Sequence, residues 1–288
     1  LNPVLEGTTH GATLEPGEPD TDPINTPGTV WYRWTSPGRG VLRTMESSNW
    51  LLSAWKGDLL NALEPFGQQS SMLGFRTEPG ETYSLRVAGN QLFPFRIPLQ
   101  YTDSPTNDDF GQAIRVTGSG EIVVEGSVNG STSEPGESKL GVWWRWTAPS
   151  AGTLHLIRES EHQVDVFRGL SAAQLMWVPW RESDWNRKDY RVAGGVEYSI
   201  RANGRWDLPA RFRLILDPDP DPVLEQPSFN AGTLRIPVQG TPGQTVNLEQ
   251  STDMIHWTPA LSHWLLYPSE NVEIPIPEAP VLFLRPRP

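Results

Sequence analysis

The chain has 288 residues, and its 28 Pro and 26 Gly make 54 of them, about 19%, residues that interrupt helices and central strands. This exceeds the roughly 12% of average usage but stays below the roughly 25–30% of low-complexity disorder, and 13 Trp, 9 Phe and 6 Tyr are more aromatic surface than an unfolded chain carries. A net charge of -11, zero Cys and no apolar run near 18 residues argue against nucleic acid as a partner, against disulfide or thiol chemistry and against a membrane span, and short strands joined by turns become the expected fold.

Self-similarity organises the chain. Residues 6–18 read EGTTHGATLEPGE and residues 125–137 read EGSVNGSTSEPGE, identical at 8 of 13 positions at an offset of 119. VWYRWTSP at 30–37 matches VWWRWTAP at 142–149 in 6 of 8 positions at an offset of 112, with a turn-rich insertion at 19–29 in the first copy. Gly80, Tyr83, Ser84, Arg86 and Gly89 recur as Gly195, Tyr198, Ser199, Arg201 and Gly204, and Phe95-Arg96 as Phe212-Arg213. Changes of a few residues between blocks are what surface loops tolerate. The expected organisation is one repeat over 1–102, a second over 103–216, an Asp-Pro linker over 217–222 and an unrelated module over 223–288. The counterpart of Asn107-Asp108-Asp109-Phe110 is missing ahead of Leu1, which predicts a piece of a longer chain whose export signal was removed or lies upstream.

Local patterns predict strands. Residues 30–35 alternate Val30, Tyr32 and Trp34 against Trp31, Arg33 and Thr35 with a period of two. Residues 153–157, 197–201 and 211–216 read the same way, and in the tail the turn Thr241-Pro242-Gly243-Gln244 leads into a strand over 245–250. Glu-Pro-Gly-Glu at 15–18, 78–81 and 134–137 predicts type II turns, because Pro presets the first central φ and Gly accepts the positive second one. Gly118-Ser119-Gly120 reads as another turn. Alternating prolines and mutually repelling acids make 217–222 a stiff extended spacer.

On Asn107-Asp108-Asp109-Phe110 with Ala113, Glu134-Pro135-Gly136-Glu137 and Val142-Trp143-Trp144-Arg145-Trp146-Thr147-Ala148-Pro149, the second repeat resembles the bacterial pre-peptidase C-terminal domain family. The first repeat matches from Gly11 onward. The resemblance implies an all-β protein of two tandem jelly-roll-like β-sandwiches, non-catalytic appendages of secreted proteins related to collagenase collagen-binding modules. The tail, through Thr241-Pro242-Gly243-Gln244-Thr245, Ser251-Thr252-Asp253, Trp257-Thr258-Pro259 and Phe283-Leu284-Arg285, resembles a small fibronectin-like module of large exported bacterial proteins, which implies a small C-terminal β-sandwich. Both copies depart from the family at its aspartate-rich turn, keeping only Ser53-Ala54-Trp55-Lys56-Gly57 and Asp165-Val166-Phe167-Arg168-Gly169.

Two candidate sites follow. The resemblance implies a calcium site at Asn107, Asp108 and Asp109, with Glu134 and Glu137 as further carboxylates. The competing account is that Asn107 or Asp108 caps a helical turn while the glutamates flank a turn. The second candidate is a ligand-binding platform of Trp177, Trp180, Trp185 and Trp206, because the first repeat has Pro65 at the place of Trp177 and no Trp in the loop that follows. Its competitor is a minor core peculiar to the second repeat, or a docking surface for its neighbour. Trp31, Trp34, Trp143, Trp144 and Trp146 recur between the copies and read as core, with Arg33 and Arg145 placed to stack on them.

His10, His155, His162, His256 and His263 show no metal-ligand spacing, Glu159, Glu161 and Asp165 read as solvated charges at a strand edge, and His162 with Asp165 reads as a surface pair. The expected function is therefore non-catalytic: binding or spacing modules of a secreted or cell-surface bacterial protein, mediating adhesion or binding of a polysaccharide or protein. The alternatives are accessory modules of an upstream secreted hydrolase, or a self-assembling subunit of a fibre or envelope layer.

Overall fold

The computed structural model describes the chain except residues 1, 20–27, 90–91, 119, 135–138, 170, 205–207, 231, 276–282 and 287–288, and the side chains of 67–69, 182–183 and 230. Glu137, Trp206, Ser119 and most of the third Glu-Pro-Gly-Glu turn thus lie outside the described residues. The described residues form no α-helix, only strands and three 3-10 turns in six sheets that pair into sandwich-like units. No helix among them is long and apolar enough to cross a membrane.

The first repeat contains β1 (Val4–Gly7), β2 (Thr29–Thr35), β3 (Gly40–Thr44), β4 (Leu51–Lys56), β5 (Glu64–Ser70), β6 (Gly74–Thr77), β7 (Thr82–Ala88) and β8 (Phe95–Asp103). The second contains β9 (Ile114–Val116), β10 (Ile122–Ser127), β11 (Val142–Thr147), β12 (Gly152–Arg158), β13 (Gln163–Arg168), β14 (Met176–Trp177), β15 (Trp180–Asp184), β16 (Arg187–Val192), β17 (Glu197–Asn203) and β18 (Pro209–Pro218). The tail contains β19 (Val223–Leu224), β20 (Ser228–Asn230), β21 (Thr233–Gln239), β22 (Thr245–Ser251), β23 (Thr258–Trp264), β24 (Ser269–Pro275) and β25 (Phe283–Pro286).

Contacts divide the chain into two compact units, Leu1–Ala113 with Gly126–Trp143 and Ala202–Pro209, and Ile114–Glu125 with Trp144–Arg201 and Ala210–Pro288. In the first, the sheets β1-β8-β3-β6 and β2-β7-β4-β5 enclose a core of Leu5, Leu42, Leu52, Tyr83, Leu85, Phe95 and Leu99 with their neighbours. Val30, Tyr32 and Trp34 pack on that core as their alternation predicts. Trp31 lies on the other face beside Trp55, at 6.5 Å between ring centroids, and the cation over both rings is Arg86. Arg33 instead pairs with Asp58 at 3.6 Å.

The first two Glu-Pro-Gly-Glu turns close as expected. Glu18 N–H donates to Glu15 C=O at 3.1 Å and Glu81 N–H to Glu78 C=O at 3.2 Å, with Gly17 at φ 95 and Gly80 at φ 75, where a Cβ would be strained.

In the second unit, the sheets β10-β18-β12-β16-β15 and β14-β13-β17-β11-β9 carry most of the second repeat, with β9 parallel to β11. Trp144 and Trp146 are fully buried, Trp144 edge-on to Phe212 at 5.2 Å. Each sheet has one strand more than its counterpart in the first repeat, β15 in the one and β9 in the other. The tail adds β19-β21-β20 with β24 on β21, and β23-β22-β25, around Ile236, Val238, Val246, Leu248, Leu265, Val272 and Ile274.

The Asp-Pro run, expected as a stiff extended spacer, is hydrogen-bonded to its neighbours. Asp217 and Pro218 complete β18, Asp219 N–H donates to Ala151 C=O at 2.9 Å, its carboxylate pairs with Arg191, and Gln244 Nε2 donates to Pro220 C=O at 2.9 Å. A tail of about 65 residues buries little apolar surface alone, so hydrogen bonds along its entry segment add what its core lacks.

Elsewhere in the tail, Glu270 accepts from His263 at 2.8 Å and from the Leu266 and Tyr267 amides, and the His263 bond first among these holds its carboxyl below the usual carboxylate range. A depressed carboxylate contributes stability above its unfolded pKa and loses it as pH falls through its folded one. Tail stability should thus decline on acidification below about pH 4.5, and Glu270→Gln should flatten that slope in melting curves taken from pH 6 to pH 3.

Candidate functional site

The residues expected to bind calcium are brought together, but among cations of the chain itself. Asp108 is buried, and its two oxygens accept from Thr132 N–H and Thr132 Oγ1, each at 2.6 Å, and from Arg39 Nη2 at 3.3 Å. Asp109 Oδ1 pairs with Arg39 and stands 3.7 Å from Arg76 Nη1. Asn107 donates its side-chain N–H to Trp143 C=O at 2.9 Å and accepts Trp143 N–H at its backbone oxygen at 2.8 Å. Glu134 Oε2 accepts from Phe110 N–H at 2.6 Å.

Phe110–Gln112 is indeed a 3-10 turn, but its cap differs from the one expected. The flanking Asp109 makes no side-chain cap bond, and the orphan amide of Phe110 is met by Glu134, 24 residues on. Among the described residues no three His, Asp or Glu side chains gather around one point as a metal ion requires, and Glu137 lies outside them. A divalent ion at Asp108 and Asp109 would have to displace two arginines that already compensate their charge.

Trp177 and Trp180 stand on edge strands of the second repeat. Phe167 pairs with Trp177 in the same register in which Trp55 pairs with Pro65, so Trp177 occupies the place of Pro65, as the repeat alignment predicts. In the first repeat β5 runs on along β4. In the second, Val178 N–H still donates to Val166 C=O at 3.0 Å, Pro179 follows without a donor, and the chain passes to the other sheet as β15. Trp177 and Trp180 flank this crossing with rings 6.0 Å apart and tilted by 39°. Trp177 leans on Phe167 at 4.6 Å and Trp180 on Tyr190 at 6.5 Å.

Their outer surfaces are free: Trp177 is 45% and Trp180 44% exposed. Trp185, 77% exposed, caps the tight turn between β15 and β16, and no ring contact joins it to the other two among the described residues. Its backbone oxygen accepts from Arg158. Trp206 lies outside the described residues.

A buried ion pair that sequence reasoning missed lies under Trp180. Lys188 Nζ, on β16, donates to Asp165 Oδ1 at 2.7 Å and to Val164 C=O at 3.0 Å on the facing sheet, and sits 4.8 Å from the Trp180 ring centroid. Asp165 is thus neither a solvated edge charge nor a surface partner of His162. Both are fully buried, and His162 Nδ1 meets Ser160 Oγ at 3.0 Å. Desolvation by burial, and after it the neighbouring Asp165 carboxylate, pushes the Tyr190 hydroxyl well above the usual phenol range. In the first repeat the matching positions are Ser53 and Leu73, and that contrast was the available signal.

The fold and these sites define a class: an all-β chain of sandwich-like units whose second repeat bears an exposed aromatic edge. No protein-family model matches the chain, and a search of curated proteins finds no match either.

Proposed function

We propose that the chain is a set of binding modules of a secreted or cell-surface protein, two tandem jelly-roll-like β-sandwiches and a small C-terminal one, and that the second repeat binds polysaccharide through Trp177 and Trp180, with Trp185 extending the contact. The observation that carries this reading is the pair of half-exposed indoles 6.0 Å apart at a site where the sister repeat has proline. A pyranose presents a face of C–H groups whose partial positive charge suits the negative face of an indole, and two adjacent rings match consecutive sugars.

Rigidity supports it. Each ring is backed by a second aromatic, and Trp180 also by the Lys188 ammonium, so little side-chain entropy remains to be lost on binding.

Affinity electrophoresis in gels containing a panel of bacterial and host polysaccharides tests this. At least one polysaccharide should retard the chain, and Trp177→Ala or Trp180→Ala should weaken that binding about thirtyfold each, the roughly 2 kcal/mol of a binding hot spot. Melting temperature should move little, because both rings are half-exposed. Equal retardation of parent and variants removes the reading.

A further inference from the structure

Two ions sealed in a core are an expensive way to join two sheets, because each forfeits its hydration. Lys188 on β16 and Asp165 on β13 reach toward each other from facing sheets of the second repeat. The Asp165 side chain has no exposed surface, and that of Lys188 is 9% exposed. Nζ donates to Asp165 Oδ1 at 2.7 Å and to the adjoining Val164 C=O at 3.0 Å, and the two bonds together fix the nitrogen beside the carboxyl group. A carbon–oxygen bond is about 1.2 Å long, so Nζ stands no more than about 4 Å from Asp165 Cγ, close to the roughly 3–3.5 Å of reacting atoms before attack. Oδ2, also buried, has no hydrogen-bond partner among the described residues. The Trp180 ring covers the ammonium at 4.8 Å, and the buried Tyr190 follows on the same face of β16.

Condensation to an amide would remove both charges from the core at once. In that step Nζ passes a proton to the carboxylate, its freed lone pair bonds to Cγ, a second proton follows, and the unpartnered oxygen leaves as water. The other oxygen remains as the amide oxygen, and the last N–H keeps its bond to Val164 C=O. Charges cancel, and the step consumes no oxidant, reductant or nucleotide.

We propose that Lys188 and Asp165 condense to an intramolecular isopeptide bond that links the two sheets of the second repeat, the ion pair being the state of the freshly folded chain and the amide its mature form. The link closes residues 165–188 into a covalent loop that contains β14 and β15, and with them Trp177 and Trp180, and it restricts the freedom of that loop in the unfolded chain. The first repeat, with Ser53 and Leu73 at these positions, has neither reacting group. The bond depends on this pair alone, whether or not the tryptophans bind sugar.

The test is the intact mass of the full chain, followed from isolation through a week at neutral pH, with a tryptic map of the unfolded chain at each end. The chain should reach the mass of its sequence less one water. The map should then show residues 159–168 joined to residues 188–191, with the cut after Lys188 lost. Lys188→Met and Asp165→Ala should keep their full mass, and the parent's map decides even where a variant fails to fold, because it locates the bond directly. A parent that holds its full mass throughout, or a water lost from any other pair of residues, overturns the proposal.

Discussion

Lys188→Met is expected to destabilise the second repeat by about 3–5 kcal/mol, read by calorimetry of the full chain as a fall of about 10 °C or more in its transition. The substitution keeps the apolar stem and removes only the ammonium, leaving the fully buried Asp165 carboxylate without the cation it pairs with. Asp165 Oδ2 has no hydrogen-bond partner even in the intact protein, so nothing stands in reserve for the lost charge.

Asp165→Asn should cost less. The ammonium keeps Val164 C=O and the face of Trp180, and the amide oxygen still accepts. In Asp165→Asn with Lys188→Met neither charge of the pair remains, and stability should return to within about 2 kcal/mol of the parent, because much of the single-variant loss is the penalty of an unpaired ion. Additive losses in the double variant would mean that the two residues do not act as a pair.

The second large effect is at Asp108. Asp108→Ala should cost about 3 kcal/mol, since it strips the acceptor from a buried Thr132 amide and its hydroxyl at once and removes one of the two partners of Arg39. Arg39→Ala should cost about half as much, because that guanidinium is partly exposed and Thr132 still satisfies both Asp108 oxygens. Equal losses from the two variants in urea unfolding would place the stability in the ion pair and not in the threonine bonds.

The sequence disclosed what local pattern and internal comparison can disclose. Strand alternation over 30–35, the Pro-Gly turns and the register of Trp177 with Pro65 need only neighbours or a sister copy. Partners distant along the chain stayed hidden. Nothing near Asp108 and Asp109 announces Arg39, 69 residues earlier, so two acids beside an asparagine read as a cation site when they were already neutralised. Alternation places Lys188 on the inward face of β16 with Tyr190 and Val192, but nothing near it announces Asp165, 23 residues earlier.

The register of Tyr101 against the second repeat was hidden for a subtler reason. The sequence offset of 117 at Phe95 and Phe212 sets Tyr101 against Pro218, whereas pairing with β3 and β12 sets it against Leu216, because the strands differ by two residues between Phe95 and Tyr101. A register shift of that size keeps the same side chains inward, so the pattern carries no trace of it.

The most direct test of the tryptophan edge is the tryptophan indole spectrum of the 15N-labelled chain, recorded during titration with the polysaccharide that retards it most. Binding through that edge predicts saturable shifts at Trp177 and Trp180, weaker ones at Trp185, and unmoved signals for the buried Trp144 and for Trp31 in the first repeat. Saturable binding that leaves Trp177 and Trp180 unmoved, or a panel in which no polysaccharide binds, would contradict it.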